Sequence, residues 1–281
     1  MNQAPSKNAC VIGWPIEHSR SPAIHGYWLE HYKIAGTYTK RAVPPDEISA
    51  FLAALGAEGL AGCNVTIPHK EAAFRAAVER APSATAVGAA NTLWLENGRL
   101  CAANTDTYGY MSYLALEAEG WDRRDAPVSI LGAGGAARAI VYGFLEAGVA
   151  EVRIFNRSTE RAEAIARDFG PRVKVLPWEQ RSRASTEAAV LVNTTSVGLK
   201  GAGSLDMDFT DFHPDSIVSD IVYVPLETGL IREARRHGLR TVDGLGMLLH
   251  QAVPGFEKWF GVRPEVTDEL YDRIAADIEA A

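Results

Sequence analysis

The chain has 281 residues, 47% apolar and 22% charged, with a formal charge of -7. That length accommodates two packed domains, and the acidic balance excludes the basic face that a nucleic-acid partner requires. It also gives no long-range attraction for an acidic substrate, so any carboxylate pocket must be built from local groups.

Cys10, Cys63 and Cys101 are widely spaced and lack a C-x-x-C or a Cys/His cluster. Neither a disulfide framework nor a metal site is expected, and three buried thiols in a reducing compartment are. The polar start of the chain and the short apolar run behind it fit neither a signal peptide nor a membrane span. The expected location is cytoplasmic, with no membrane partner.

Cys10-Val11-Ile12-Gly13 reads as a short buried strand opening into the polar loop His18-Ser19-Arg20-Ser21. Pro22 suits a first helical position with Ser21 as the cap. Ile24, Tyr27, Trp28 and His31 then follow at helical spacing up to Gly36. A strand over 37–43, a helix over 45–55 and a strand over 63–67 come next. A helix after Pro68 buries Phe74, Ala77 and Val78, and this first α/β region closes near Asp106. A helix over 107–119 leads to an apolar strand at 128–131, a helix over 136–147 and a strand over 151–155. The helix behind Ser158 has the stripe Ala162, Ile165, Ala166 and Phe169. Strands at 173–176, 190–193, 217–222 and near 240–242 complete an alternating pattern, which indicates a doubly wound parallel sheet. From Gly246 the pattern is helical again, with Phe256, Trp259 and Phe260 as packing residues and Thr267 as a cap. The expected organisation is a two-domain α/β protein, residues 1–106 plus 246–281 forming one domain and 107–245 the other.

Gly132-Ala133-Gly134-Gly135-Ala136-Ala137 fits G-x-G-x-x-G/A between a strand and a helix. Small residues let the backbone approach a pyrophosphate at the helix N-terminus, so this turn reads as a dinucleotide site. An NAD site places Asp or Glu at the end of the next strand, roughly 20 residues on. Here Asn156-Arg157-Ser158 stands there, with Arg161 one turn later. A guanidinium can grip a 2′-phosphate that a carboxylate would repel, so NADP is expected.

Reduction of a ketone with such a cofactor needs a proton for the developing alkoxide, from a side chain held by a second group. Lys70 follows Asn64-Val65-Thr66-Ile67-Pro68-His69 at a strand-to-helix corner, where a lysine opposes the helix dipole. Asn104-Thr105-Asp106 is a second polar cluster at an element boundary. On its own, Lys70 also fits an ordinary surface charge.

His18-Ser19-Arg20-Ser21-Pro22, Asn64 through Lys70, Gly88-Ala89-Ala90-Asn91-Thr92 and Asn104-Thr105-Asp106 occur in one order along the chain. Asn193-Thr194-Thr195-Ser196, Asp220-Ile221-Val222-Tyr223 and Gly244-Leu245-Gly246-Met247-Leu248 with Gln251 continue it. In this order and across nearly its whole length, the chain resembles the shikimate dehydrogenase family. The resemblance implies a reversible, NADPH-dependent reduction of 3-dehydroshikimate to shikimate, in the pathway to aromatic amino acids. It implies a Rossmann-type cofactor domain and an active site in the cleft between domains. Lys70 and Asp106 would be the catalytic pair, Ser19, Ser21 and Tyr223 would hold the substrate carboxylate, and Thr66, Asn91 and Gln251 the ring hydroxyls. Gly132, Ala133, Gly134, Gly135, Ala136, Asn156, Arg157, Ser158 and Arg161 would hold NADP, with Ile221, Gly244 and Met247 at its nicotinamide end. Asn64 would brace its loop. Ser158 stands where the family usually has Thr, Thr107 where glycine is common, and Val224 where a polar residue is frequent, changes that bear on specificity. A quinate-oxidising relative using NAD and a non-catalytic binding protein on this scaffold are the rival readings. The expected partner is the small-molecule substrate, in a monomer or homodimer.

Overall fold

A computed structural model of the protein describes residues 7–123 and 125–280. They form two compact units, divided after Asp106, with Leu249–Ile274 returning to the first and the residues from Ala275 grouped with the second. The sequence reading set that return at Gly246.

The first unit is built from β1 (Lys7–Gly13), α1 (Ser21–His31), β2 (Gly36–Ala42), α2 (Ile48–Ala54), β3 (Leu60–Val65) and α3 (Lys70–Ala76). It continues with β4 (Glu79–Arg80), α4 (Pro82–Val87), β5 (Thr92–Glu96) and β6 (Arg99–Ala103). The strands form one sheet in the order β2-β1-β3-β5-β6-β4. The first three run parallel, whereas β5 pairs antiparallel with both β3 and β6. The reversal at β5 decides where the site forms. The N-terminal end of β5 lies beside the C-terminal ends of β3 and β6, so Thr66, Asn91 and Asn104 all emerge at one end of the sheet.

The β5–β6 hairpin is absent from the sequence reading, although Asn97-Gly98 carries its signature. Asn97 has φ +52° and Gly98 φ +73°, the pair of positive values that a tight two-residue turn demands. Two other expectations are corrected. Ser21 is the first residue of α1 rather than its cap, because its backbone N–H donates to Ser19 Oγ and Arg20 takes the cap position. Val78 lies beyond α3 and is 61% exposed, while Ala77 is buried. The chain turns extended at Ala77, so the helical stripe ends one residue too early to bury Val78.

Trp28 and Trp259 anchor the core on the other side of this sheet and are fully buried. The Trp259 indole Nε1 donates to Leu93 O at 2.8 Å, so α10 (Val253–Phe260) is tied to β5 without an unmet donor.

The second unit is made of α5 (Asp106–Glu117, its first residue in the first unit), β7 (Val128–Leu131), α6 (Gly135–Glu146), β8 (Val152–Phe155), α7 (Thr159–Phe169) and β9 (Val173–Leu176). β10 (Val190–Asn193), β11 (Ile217–Asp220), α8 (Gly229–Arg236), β12 (Arg240–Val242) and α9 (Leu245–His250), which crosses back to the first unit, follow. Its strands are all parallel in the order β12-β11-β10-β7-β8-β9, the doubly wound arrangement of a Rossmann-type domain. Every residue of β7, β10 and β11 is buried, as expected of strands covered on both faces. The final helix, α11 (Asp268–Glu279), is capped by Thr267 Oγ1, which accepts from Leu270 N at 3.2 Å. No helix among the described residues is long and apolar enough to cross a membrane.

Candidate active site

In the first unit, Lys70 opens α3, directly behind the corner Thr66-Ile67-Pro68-His69. The corner is pinned from below: Thr66 N donates to Ile12 O at 2.9 Å, and the buried His69 ring bonds Val43 O at 2.7 Å. Asp106 is the first residue of α5, and its N–H donates to Asn104 Oδ1 at 3.1 Å. Lys70 Nζ meets Asp106 Oδ2 at 2.7 Å. The Asp106 side chain is 13% exposed and that of Lys70 31%, so the carboxylate sits inside while the ammonium reaches outward. An ammonium has three donor positions, and Asp106 takes one, leaving the others for a substrate oxygen.

Two more expected residues join the pair. Asn91 Nδ2 donates to Asp106 Oδ1 at 2.8 Å and lies 3.4 Å from Gln251 Oε1. Both carboxylate oxygens of Asp106 are thereby occupied by donors. Ser19 and Ser21 form a separate polar corner at the C-terminal end of β1, where Ser19 Oγ donates to Ser21 Oγ and accepts from its N–H, both at 3.3 Å. The loop carrying them runs beside the Thr66 corner, since Trp14 N donates to Ile67 O at 3.0 Å. Asn64 is buried as a brace, bonded to Tyr38, Asn91 O and Thr92, and does not open onto the site.

In the second unit, Gly132 has φ +110°, and a Cβ there would stand 2.6 Å from Thr194 Oγ1. Only glycine makes this turn, in which Gly132 N also donates to Phe155 O at 2.8 Å. No protein atom comes within 4 Å of where a Cβ on Gly134 or Gly135 would point. The N-terminus of α6 has no side-chain cap and no acidic residue in its first turn. An uncapped, twelve-residue helix behind an open glycine turn fits a pyrophosphate. Asn156 Nδ2 closes the next loop by donating to Ser158 O at 2.7 Å. Arg157 lies over the Trp178 ring at 5.9 Å, and neither it nor Arg161 has a carboxylate partner among the described residues. Two exposed guanidiniums beside this loop fit a 2′-phosphate. Gly244 packs on the backbone of Ile221, where a Cβ would meet Ile221 O at 2.4 Å, so these two expected residues adjoin while Met247 is buried nearby in α9. Tyr223 belongs to this unit as well.

The sequence reading missed a buried polar knot at the end of β11. Asp220 Oδ1 accepts from Asn193 Nδ2 at 2.9 Å and Val222 N at 3.0 Å, and Oδ2 accepts from Thr228 Oγ1 at 2.7 Å. Thr228 in turn caps α8. Burial pushes the Asp220 carboxyl up to about 6, against the pull of Val222 N, Thr228 and Asn193. The knot fixes the backbone from which Ile221 and Tyr223 project. Its only sequence signal is a carboxylate directly behind an apolar strand. Among the described residues, no cluster of His, Cys, Asp and Glu could hold a metal ion.

Comparison with known proteins follows this division. Residues 11–93 match the shikimate dehydrogenase substrate binding domain, residues 114–199 the shikimate / quinate 5-dehydrogenase family and residues 244–268 the shikimate 5′-dehydrogenase C-terminal domain. The chain is 54% identical over 274 residues to the shikimate dehydrogenase (NADP(+)) of Azorhizobium caulinodans, covering 98% of each. It superposes on the shikimate 5-dehydrogenase of Thermus thermophilus, solved with NADP(H) and shikimate, with TM-score 0.84 and 34% identity, over 97% of this chain and 99% of that one. The quinate dehydrogenase of Corynebacterium glutamicum, solved with NAD, matches with TM-score 0.87 at 27% identity, over 96% and 99%.

Proposed function

The chain belongs to the shikimate dehydrogenase family, and we propose that it reduces 3-dehydroshikimate reversibly to shikimate with NADPH, using Lys70 and Asp106 as its catalytic pair. The observation that carries the site assignment is the 2.7 Å ion pair between them, completed by Asn91 on the second carboxylate oxygen. NADPH, held by the glycine turn and by Arg157 and Arg161, supplies the hydride for the substrate carbonyl carbon. The substrate oxygen gains the balancing proton from the Lys70 ammonium, and in the reverse direction the Lys70 amine takes it back. Asp106 holds Nζ on the line toward that oxygen, and its hold is itself fixed by Asn91.

Ser19 and Ser21 bind the substrate carboxylate with short neutral donors. Thr66, Asn91 and Gln251 bind the ring hydroxyls, as a cyclic polyol acid requires. Cys10, Cys63 and Cys101 are buried free thiols, which supports a cytoplasmic, reducing location. This reading makes the substrate-binding domain the unit that ends at Asp106 and resumes at Leu249, and the cofactor domain the unit from Thr107.

The absence of an acid behind β8 favours NADP, while the likeness to a quinate dehydrogenase makes quinate and NAD the rival substrate and cofactor. Purified protein assayed with shikimate and with quinate, each against NADP and NAD, separates the two. Shikimate with NADP is expected to give the highest kcat/KM. Equal or better turnover of quinate with NAD would overturn the specificity.

A further inference from the structure

Behind the Lys70–Asp106 pair lies a series of buried polar groups, Tyr38, Asn64, Thr92, Thr105 and Asn91, each at most 8% exposed. Two carboxamides in the series could each be turned over, which would exchange a donor for an acceptor. Here backbone groups settle both. Asn91 Oδ1 sits 2.7 Å from Thr105 N, and a backbone N–H can only donate. The amide oxygen of Asn91 must therefore face Thr105, which turns Nδ2 toward Asp106 Oδ1 at 2.8 Å. Likewise the Asn64 amide lies 3.2 Å from Asn91 O, and a carbonyl can only accept. Asn64 thus presents Nδ2 on that side and Oδ1 on the other.

The remaining directions follow. Asn64 Nδ2 also donates to Thr92 Oγ1 at 3.2 Å, and Asn64 Oδ1 takes the Tyr38 hydroxyl at 2.5 Å. The Thr92 hydroxyl accepts from Asn64, so its single proton is available for Asn91 Oδ1 at 3.1 Å. The Thr105 hydroxyl stands 3.1 Å from both Thr92 Oγ1 and Asn91 Oδ1. The bonds that lead from Tyr38 through Asn64, Thr92 and Asn91 to Asp106 can all run the same way, donor to acceptor. Hydrogen bonds aligned donor to acceptor polarise one another in a low-dielectric interior.

We propose that Thr92, backed by Asn64 and Tyr38, is a positioning residue that holds the Asn91 amide as a donor to the Asp106 carboxylate. The proposal rests on the catalytic assignment of Lys70 and Asp106 made above. Tyr38 suits the far end of the chain. Burial raises its phenol well above the ordinary range, so it stays a donor at any working pH. The His25 ring stacks on it at 3.9 Å and 15°, and burial lowers that imidazole to about 3, so the stacked neighbour is uncharged. Removal of one donor from Asn91 leaves Thr105 N in place, so the effect is a weakened orientation rather than a lost residue.

The test is steady-state kinetics on Thr92→Val, Thr92→Ser, Tyr38→Phe and Asn91→Ala, and on the double variant Asn91→Ala with Thr92→Val. Loss of one buried hydrogen bond corresponds to roughly a fivefold to tenfold fall in kcat/KM for Thr92→Val. Thr92→Ser restores the hydroxyl and should recover activity, whereas a packing role would leave it impaired through the missing methyl. Tyr38→Phe keeps the ring stack and removes only the terminal donor, so a smaller loss of about twofold to threefold is expected. In the Asn91→Ala background, Thr92→Val should cost nothing more, because the group it orients is gone. Unchanged kcat/KM in Thr92→Val, failure of Thr92→Ser to recover, or a full additional loss in the double variant would each overturn the proposal. Near-normal turnover of Lys70→Ala in the same series would instead overturn the catalytic assignment beneath it.

Discussion

In the first unit, Asp106 receives donors on both oxygens, from Lys70 and Asn91, and Asn91 is itself held by Thr92 and Thr105. In the second, Arg157 and Arg161 stand exposed without a carboxylate among the described residues, and the N-terminus of α6 has no side-chain cap. The Asp106 site satisfies its carboxylate internally, and the glycine-turn site leaves charge and backbone donors directed outward. On the proposed function, the difference follows from what each handles. Proton transfer requires a donor held in one geometry before the substrate arrives. A dinucleotide brings its own charges, and a protein that neutralised its arginines beforehand would have to break those pairs to bind it.

The contrast also has a pH signature. His25 in the first unit is buried and lowered to about 3 from 6.5, whereas burial in the second unit raises Asp220 to about 6 from 3.8. Below 6.5 the unfolded chain protonates the histidine and the folded one does not, so the first unit loses stability as the pH falls from 6.5 toward 3. For Asp220 the folded form binds the proton more readily. Its contribution is fully present below 3.8 and lost as the pH rises through about 6. His25 and Asp220 therefore respond to mild acid in opposite directions.

The comparison can be broken or sharpened experimentally. The largest effect is expected at the preassembled site: Lys70→Ala should lower kcat by about 10³-fold, as removal of a proton donor does. NADP affinity, measured by calorimetry, should be unchanged, and a parallel loss of cofactor binding would erase the division of labour. Next is Arg157→Ala, which should weaken NADP by roughly 10- to 100-fold through the lost charged hydrogen bonds while changing NAD little. An equal loss for both cofactors would remove the 2′-phosphate contact. Smaller is the acid response: between about pH 6.5 and 5, His25 should withdraw about 2 kcal/mol from the first unit and Asp220 add about 1 kcal/mol to the second. Amide exchange at Ile12 and Val65 against Val192 and Val218, corrected for intrinsic rates, reads the two separately. Smallest is Asp220→Asn, which should abolish the gain of the second unit, about 1 kcal/mol, and leave the first unit's response intact.

Some of this was legible in the sequence, for identifiable reasons. The glycine turn behind an apolar strand is a local pattern, since all its requirements fall within a few residues of Gly132. Lys70 and Asp106 were singled out by family motifs, and their 2.7 Å approach depends on a sheet reversal the sequence reading did not contain. The β5–β6 hairpin escaped notice because Trp94-Leu95-Glu96 does not alternate cleanly, although its Asn97-Gly98 turn was there to be read. Tyr38 has no local signal, and the motifs that contain Thr92 and Asp220 do not show what either residue holds. Each is an ordinary strand or strand-end residue whose role comes from partners distant in sequence, such as Asn64 for Tyr38 and Thr228 for Asp220. Ser21 shows the reverse error: a good capping residue was outcompeted by its neighbour Ser19, which claims its N–H.

The central claim is that Lys70 and Asp106 work as one unit in the reduction of 3-dehydroshikimate. Its most direct test is the kcat of Lys70→Ala, Asp106→Ala and the double variant with NADPH and 3-dehydroshikimate. If the pair is a unit, the double variant should be no slower than the Lys70→Ala enzyme, because nothing remains for Asp106 to hold. Losses that multiply would contradict the account and assign the two residues independent roles.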